Sequence, residues 1–272
     1  MSRSRIGATA TLALLVAAIA LPLYWTAIAS TTPEAMLFAG PSLLPRSPTL
    51  AHYRALFVDR HFLVPVKNSL IVAGSTTLAC LVLGSLCAYA LARLAFRGRA
   101  TVLALVLAVS MFPQISVVSP LYLALRKLHL IDTYPGLVLP YLTFALPLSV
   151  WLLVGYFRQI PEALEEAAMV DGATRLQALF RVVLPLAVPG LAATAVLTFV
   201  YCWNEFLFAL SFTVGPERQT VPVAIALLRG RYQVPWGQTL AAAIVAAVPV
   251  AVLVLAFQRW IVSGLTGGAL KE

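Results

Sequence analysis

Four of the ten acidic residues of this chain, Glu162, Glu165, Glu166 and Asp171, fall inside the stretch "IPEALEEAAMVDGATRLQALFRVVLPLAVPG", residues 160–190. Such a charge cluster in an apolar chain could catalyse, hold a metal or nucleotide, or dock a partner. Catalysis fits poorly, because no Ser-His-Asp constellation and no paired intramembrane carboxylates accompany it. No metal site is expected, since His52, His61 and His129 lie in loops without ligand spacing. A Walker A nucleotide loop is excluded: Lys67, Lys127 and Lys271 follow Val66, Arg126 and Leu270, and the chain holds no Gly-Lys pair. An amphipathic linker resting on the membrane surface and a docking element for a partner both remain.

The local sequence builds the frame that would present these charges. Pro161 at a first helical position is preorganised for a helix, and Glu162 and Glu165 in the first turn complement its dipole. The helix is expected to reach about Asp171, where Gly172 supplies a left-handed stop. Thr174, with Gln177 three residues on, predicts a capping box for a second helix. That helix would set Leu176, Leu179, Phe180 and Val183 on one face and Arg175, Gln177 and Arg181 away from it. Pro185 then leads back into apolar sequence. Ala167 and Ala168 beside Glu166 form a small, close-approach surface next to a charge.

Around the hairpin, composition dictates a membrane protein: 61% of the 272 residues are hydrophobic and 11% charged. The net charge of +9 is scattered, with no basic tract interleaved with aromatics, so headgroup contact explains it better than nucleic acid does. Cys80 and Cys87 would stand about 10 Å apart along one helix, too far to bridge; with Cys202 they read as packing residues. Six segments are long and apolar enough to span a bilayer, approximately 8–29, 70–94, 101–125, 136–157, 186–212 and 239–261. The apolar run 6–28 exceeds a signal-peptide core and reads as an uncleaved first span. Prolines and polar residues interrupt most spans, as in "MFPQISVVSPLY", which a bundle with an interior path tolerates. The three arginines of "ARLAFRGRA" after the second span favour N- and C-termini in the cytoplasm. Residues 158–185 would then be cytoplasmic, and the loops 30–69 and 213–238 would lie outside.

The hairpin carries a motif as well as a shape. Glu166-Ala167-Ala168, Gly172, Val182 and Leu184-Pro185 stand at the spacing of the signature of ATP-binding-cassette importer permeases, with Val182 where isoleucine is usual. "WNEFLFAL", "TYPGLVLPYLTFALPL" and "QRWIVSGLTGGALKE" further resemble the smaller, six-helix permease of the maltose/trehalose type of carbohydrate importer. The likeness runs from about residue 65 to the end and is loose over 1–64. The resemblance implies an all-α, type I ABC importer permease fold, divided as 1–64 (first helix and extracytoplasmic segment) and 65–272 (five-helix core, hairpin 160–185 and tail). It implies a coupling helix docked on an ATPase subunit, with Glu165, Glu166, Ala167, Ala168, Asp171, Gly172, Ala173, Leu184 and Pro185 as the coupling residues. It also implies a homologous second permease, two ATPase subunits that bind ATP and magnesium, and an extracytoplasmic sugar-binding protein. The cell membrane is the expected location, and lipid the surrounding partner. The chain would bind no cofactor itself.

Several residues keep two readings. Glu205 in the fifth span must face the bundle interior or a cavity; with Asn204 it either lines the sugar path or is a structural carboxylate. Gln114 and Ser116 could touch a sugar or repair the backbone beside Pro113 and Pro120. By resemblance the loop 213–238 reaches the binding protein, with Arg229, Arg231 and Tyr232 as candidates, against an ordinary solvated loop. The cargo expected from resemblance is a disaccharide such as trehalose or maltose; alternatives are a glycerol phosphate or an oligosaccharide. An ion-driven secondary carrier would need coupling carboxylates in several spans, and only Glu205 is available. A membrane enzyme or scaffold leaves the motif spacing unexplained.

Overall fold

The computed structural model describes residues 3–40, 44, 47–230 and 234–266, and no strand occurs among them. The chain runs through α1 (Arg3–Ser30), α2 (Ala51–Arg54), α3 (Leu63–Arg93), α4 (Arg99–Ser110), α5 (Gln114–Lys127), α6 (Tyr134–Gln159) and α7 (Glu162–Val170). It continues through α8 (Arg175–Ala178), α9 (Leu184–Leu186), α10 (Val188–Trp203), α11 (Leu207–Phe212), α12 (Val221–Leu227) and α13 (Trp236–Thr266). Four helices, α1, α3, α6 and α13, are long and apolar enough to span a membrane. Two bent pairs would complete six: α4 with α5, meeting at 88°, and residues 175–186 with α10, meeting at 79°.

The expected third span is therefore not one rod. Pro113 has no N–H to continue the ladder and caps α5 from an extended conformation, so α4 ends at Ser110 and the axis turns. The expected fifth span is broken again at Asn204–Phe206, between α10 and α11. By contrast Pro140 and Pro147 are absorbed within α6, which stays a single helix.

The described residues divide between two compact units, those within 1–63 and 224–249 and those within 64–223 and 250–272. In the first unit the Glu34 carboxylate accepts the Trp236 and Gly237 amides at 2.8 and 2.9 Å, capping the positive end of α13. Ser30 and Tyr53 share a hydroxyl bond of 2.7 Å, and His52 lies 2.8 Å from the Thr32 carbonyl.

In the second unit α6 is central, with α4 and α10 packed on it. Its most apolar window is 56% buried, against 6% for α1. In lipid, packing and hydrogen bonds hold helices together because the tails are as apolar as leucine. Small residues accordingly sit at the contacts: Ala88, Ala92 and Ala187 join Leu153, Phe157, Leu179 and Val183 in one core. Gly190 lets α10 approach α6 where a Cβ would strike the Tyr156 ring. Ser149 and Thr198 add a buried bond of 2.9 Å.

Candidate functional site

The hairpin is built from its caps. Ile160, before a proline, is extended, and Pro161 keeps a non-helical ψ of 129°. Pro161 is thus the N-cap of α7 and Glu162 its first residue, one position later than the sequence expectation. At the other end the Ala173 amide donates to the Ala168 carbonyl at 3.0 Å and the Gly172 amide to Met169 at 3.1 Å. These two bonds make a Schellman stop, and Gly172 takes the left-handed φ of 90° that it needs. The Thr174–Gln177 capping box forms with both bonds present.

Beyond α8 the chain makes a π-helical turn over Leu179–Val183. The wider repeat keeps residues four apart in line, so Leu179, Val183 and Ala187 all point into the core. The expectation of one face holding Leu176, Leu179, Phe180 and Val183 is corrected here. Leu176 and Phe180 form a second stripe, 58% and 60% exposed, and Val170 in the first helix of the hairpin is 87% exposed.

The carboxylates divide as sharply. Glu166 and Asp171 face outward, and Ala167, Gly172 and Pro185 are exposed with them. Ala168, Ala173 and Leu184 are half-buried. Ala168, Asp171, Gly172 and Ala173 line a notch of about 370 Å³ with Gln177 and Arg181. Glu165 points the other way and is buried. It lies in an ion pair with Arg93, Nε to Oε2 at 3.2 Å, and its other oxygen accepts the Tyr89 hydroxyl. Tyr89 Oη is also 3.2 Å from the Arg175 carbonyl. Arg93 Nη2 donates to the Ile160 carbonyl at 2.6 Å, and Nη1 stands 3.5 Å from Glu162. Sequence reading missed Tyr89 and Arg93, counting Arg93 only as a topology charge; the signal was that Arg93, alone of the three arginines of "ARLAFRGRA", falls inside the apolar helix α3.

The path candidates gather at the break in the fifth span. Glu205 is 8% exposed and accepts the Phe208 and Ala209 amides at 2.8 and 3.2 Å, so it caps α11. Phe208 and Phe212 then stack at 5.6 Å, and Phe208 meets Phe144 of α6 at 5.4 Å. Asn204 is exposed and its amide donates to the Val200 carbonyl at 2.8 Å. Gln114 donates to the Tyr201 hydroxyl at 2.7 Å, about one turn before Asn204, while Ser116 is exposed. Arg229 is exposed. Arg231 and Tyr232 lie outside the described residues.

A third constellation went unseen in the sequence. Asn68 donates to the Glu217 and Gln219 carbonyls, both at 2.9 Å, and accepts the Tyr134 hydroxyl at 2.8 Å. Asp132 accepts the Val214 and Gly215 amides at 3.0 and 3.4 Å, and Arg218 lies 4.4 Å over the Tyr134 ring. The loop 213–220 is thereby pinned to the bundle.

With that geometry in place, comparison with known proteins is informative. The family described as "Binding-protein-dependent transport system inner membrane component" matches residues 80–267. The trehalose/maltose transport system permease protein MalG of Thermococcus litoralis is 44% identical over 263 residues, covering 95% of this chain and 94% of the relative. The sulfoquinovosyl glycerol transport system permease protein SmoH of Agrobacterium fabrum is 43% identical over 251 residues, covering 92% and 88%. Among solved structures, a chain of a bacterial ABC transporter involved in import of the acidic polysaccharide alginate superposes with a TM-score of 0.76 at 25% identity, over 95% of this chain and 98% of that one.

Proposed function

Because this chain belongs to the family of inner membrane components of binding-protein-dependent transport systems, it is a membrane transport subunit, and we propose that its cargo is a small sugar, foremost a disaccharide such as trehalose or maltose. In this reading a second, homologous permease completes the path, and an extracytoplasmic binding protein delivers the sugar. Two ATPase subunits bind ATP and magnesium and do the hydrolysis. Both termini are cytoplasmic, and the hairpin is the docking element for the ATPase. ATP-driven closure of the ATPase pair displaces the hairpin and rocks the bundle between inward- and outward-open states.

The observation that carries the reading is the two-faced hairpin. Glu166 and Asp171 are free on its outside, where Val170, Leu176 and Phe180 are exposed as well. An exposed apolar patch beside unpaired charge suits a protein partner better than water or headgroups. Glu166 would meet a basic residue there. Asn204, Gln114 and Ser116 offer amide and hydroxyl groups to a sugar, while Glu205 shapes the turn beside Asn204. Arg229, with Arg231 and Tyr232, would face the binding protein.

The test is a pull-down of tagged chain from native membranes with partners identified by mass spectrometry. Wild type is expected to bring an ATPase and a second permease, and Glu166→Ala with Gly172→Leu to lose the ATPase. Wild type isolated alone would overturn the reading. A second cargo class, another polar glycoside, is favoured by the near-equal identity to the sulfoquinovosyl glycerol permease. Competition of unlabelled glycosides against labelled trehalose uptake separates the two.

A further inference from the structure

Two residues in the last turn of α3, Tyr89 and Arg93, reach the entry, the first helix and the start of the second helix of the hairpin. They stand four apart and share one helix face. Arg93 holds the entry residue Ile160 through its carbonyl and the first helix through Glu165, with Glu162 at the rim. Tyr89 holds Glu165 as well and lies against the first carbonyl of the second helix, at Arg175. Beneath them Ala88, Leu91 and Ala92 of α3 share a buried core with Leu153 and Phe157 of α6 and with Leu179 and Val183 of the π-helical turn. Apart from Glu162, which is exposed at the rim, the side chains of this cluster lie away from the exposed face that carries Glu166.

Apolar contacts alone resist separation but permit sliding, the shear by which packed helices shift about 1–2 Å. The hydrogen bonds from Tyr89 to Glu165 and from Arg93 to the Ile160 carbonyl oppose it, and a slip would also separate the Arg93–Glu165 ion pair in a poorly solvated place. The chain is interrupted elsewhere: α4 meets α5 at 88°, and residues 175–186 meet α10 at 79°. Those changes of axis lie outside the Tyr89–Arg93–Glu165 cluster.

We propose that Tyr89, Arg93 and Glu165 form a rigid joint that makes the hairpin and the end of α3 move as one body, so that displacement of the hairpin is delivered to α3 undiminished. The inference rests on the reading of the hairpin as the ATPase-docking element. Tyr89 and Arg93 are positioning residues, acting on the partner only through the hairpin.

The experiment uses the full complex with spin labels at Leu164→Cys on α7 and Arg97→Cys just past α3, the native cysteines being replaced by alanine. Pulsed electron paramagnetic resonance measures the distance without nucleotide and with ATP trapped by vanadate. The joint predicts one narrow distribution, unchanged between the two states. Arg93→Gln is expected to broaden it in both states and Tyr89→Phe to broaden it less; the latter deletes one hydroxyl and leaves the ion pair, so it guards against a folding failure. A wild-type shift of about 2 Å or more, the scale of helix shear, overturns the joint, as does an unbroadened Arg93→Gln. If the wild-type preparation contains no ATPase, the docking reading fails and the joint with it. If the ATPase is present and the distance shifts, the joint alone fails.

Discussion

The hairpin at 160–185 and the loop at 213–220 are both charged turns between apolar helices, yet they are fastened to the bundle by opposite means. The hairpin is held by side chains: Glu165 is sunk against Arg93 and Tyr89, and the remaining carboxylates are left outside. The loop is held chiefly through its main chain, with Arg218 over the Tyr134 ring as a side-chain contact. Asn68 takes the carbonyls of Glu217 and Gln219, Asp132 takes the amides of Val214 and Gly215, and Ser69 accepts the Val221 amide at 2.8 Å. A turn fastened by acidic side chains depends on its own sequence. One fastened through the backbone can vary its side chains while its position is kept, which suits a surface that must match a particular partner.

The largest expected effect tests the first half of that contrast. Glu165→Ala leaves the Arg93 guanidinium buried with only the Ile160 carbonyl and the distant Glu162. Breaking a buried pair from one side costs about 3–5 kcal/mol; the partial replacement partners place this variant near the lower figure. Thermal unfolding of the detergent-solubilised chain reads it. Glu166→Ala in the same assay should change almost nothing, since that side chain is exposed. Equal losses would mean that the hairpin has no buried anchor.

Asn68→Ala comes next and tests the second half. It strands two loop carbonyls and the Tyr134 hydroxyl, and an unsatisfied buried polar group costs about 1–3 kcal/mol. Hydrogen exchange should quicken at Val221 and over 214–219 while the hairpin stays protected. Exchange that spreads to the hairpin would show that the two turns share an anchor.

Gly172→Ala is smaller. No atom lies within 4 Å of a Cβ built there, so the effect is backbone strain alone at φ 90°. A left-handed conformation costs a non-glycine residue about 1–2 kcal/mol. Thermal unfolding should fall by that amount, and Gly172→Asn by less.

How much of this was legible in the sequence depends on the range of each signal. The hairpin's ends were readable because caps are local: Thr174 and Gln177 are three apart, and a glycine stop needs only its own turn. Pro161 was misplaced by one residue because a proline suits the cap and the first turn almost equally. The inward and outward stripes of Leu179 and Phe180 were merged because nothing in a 3.6-residue repeat announces a π-helical turn. Arg93 with Glu165, Asn68 with Glu217, and Glu34 with Trp236 were invisible for a plainer reason: each pairs residues far apart in sequence, and only packing brings them together. Glu205 kept two readings because burial of a carboxylate is readable from its span, whereas its acceptance of the Phe208 and Ala209 amides depends on where α10 breaks.

The smallest expected effect sharpens the contrast most. Glu217→Ala removes a charge from the loop but leaves the carbonyl that Asn68 grips, so stability should stay within about 0.5 kcal/mol of wild type, as for surface substitutions away from special features. Combined with Asn68→Ala it should add nothing, because the side chain and the carbonyl serve different ends. Thermal unfolding of the two single variants and the double closes that cycle. A loss above about 1 kcal/mol for Glu217→Ala alone would show that its carboxylate helps to hold the turn. The loop would then be side-chain-fastened like the hairpin, and its freedom to vary toward a partner would be gone.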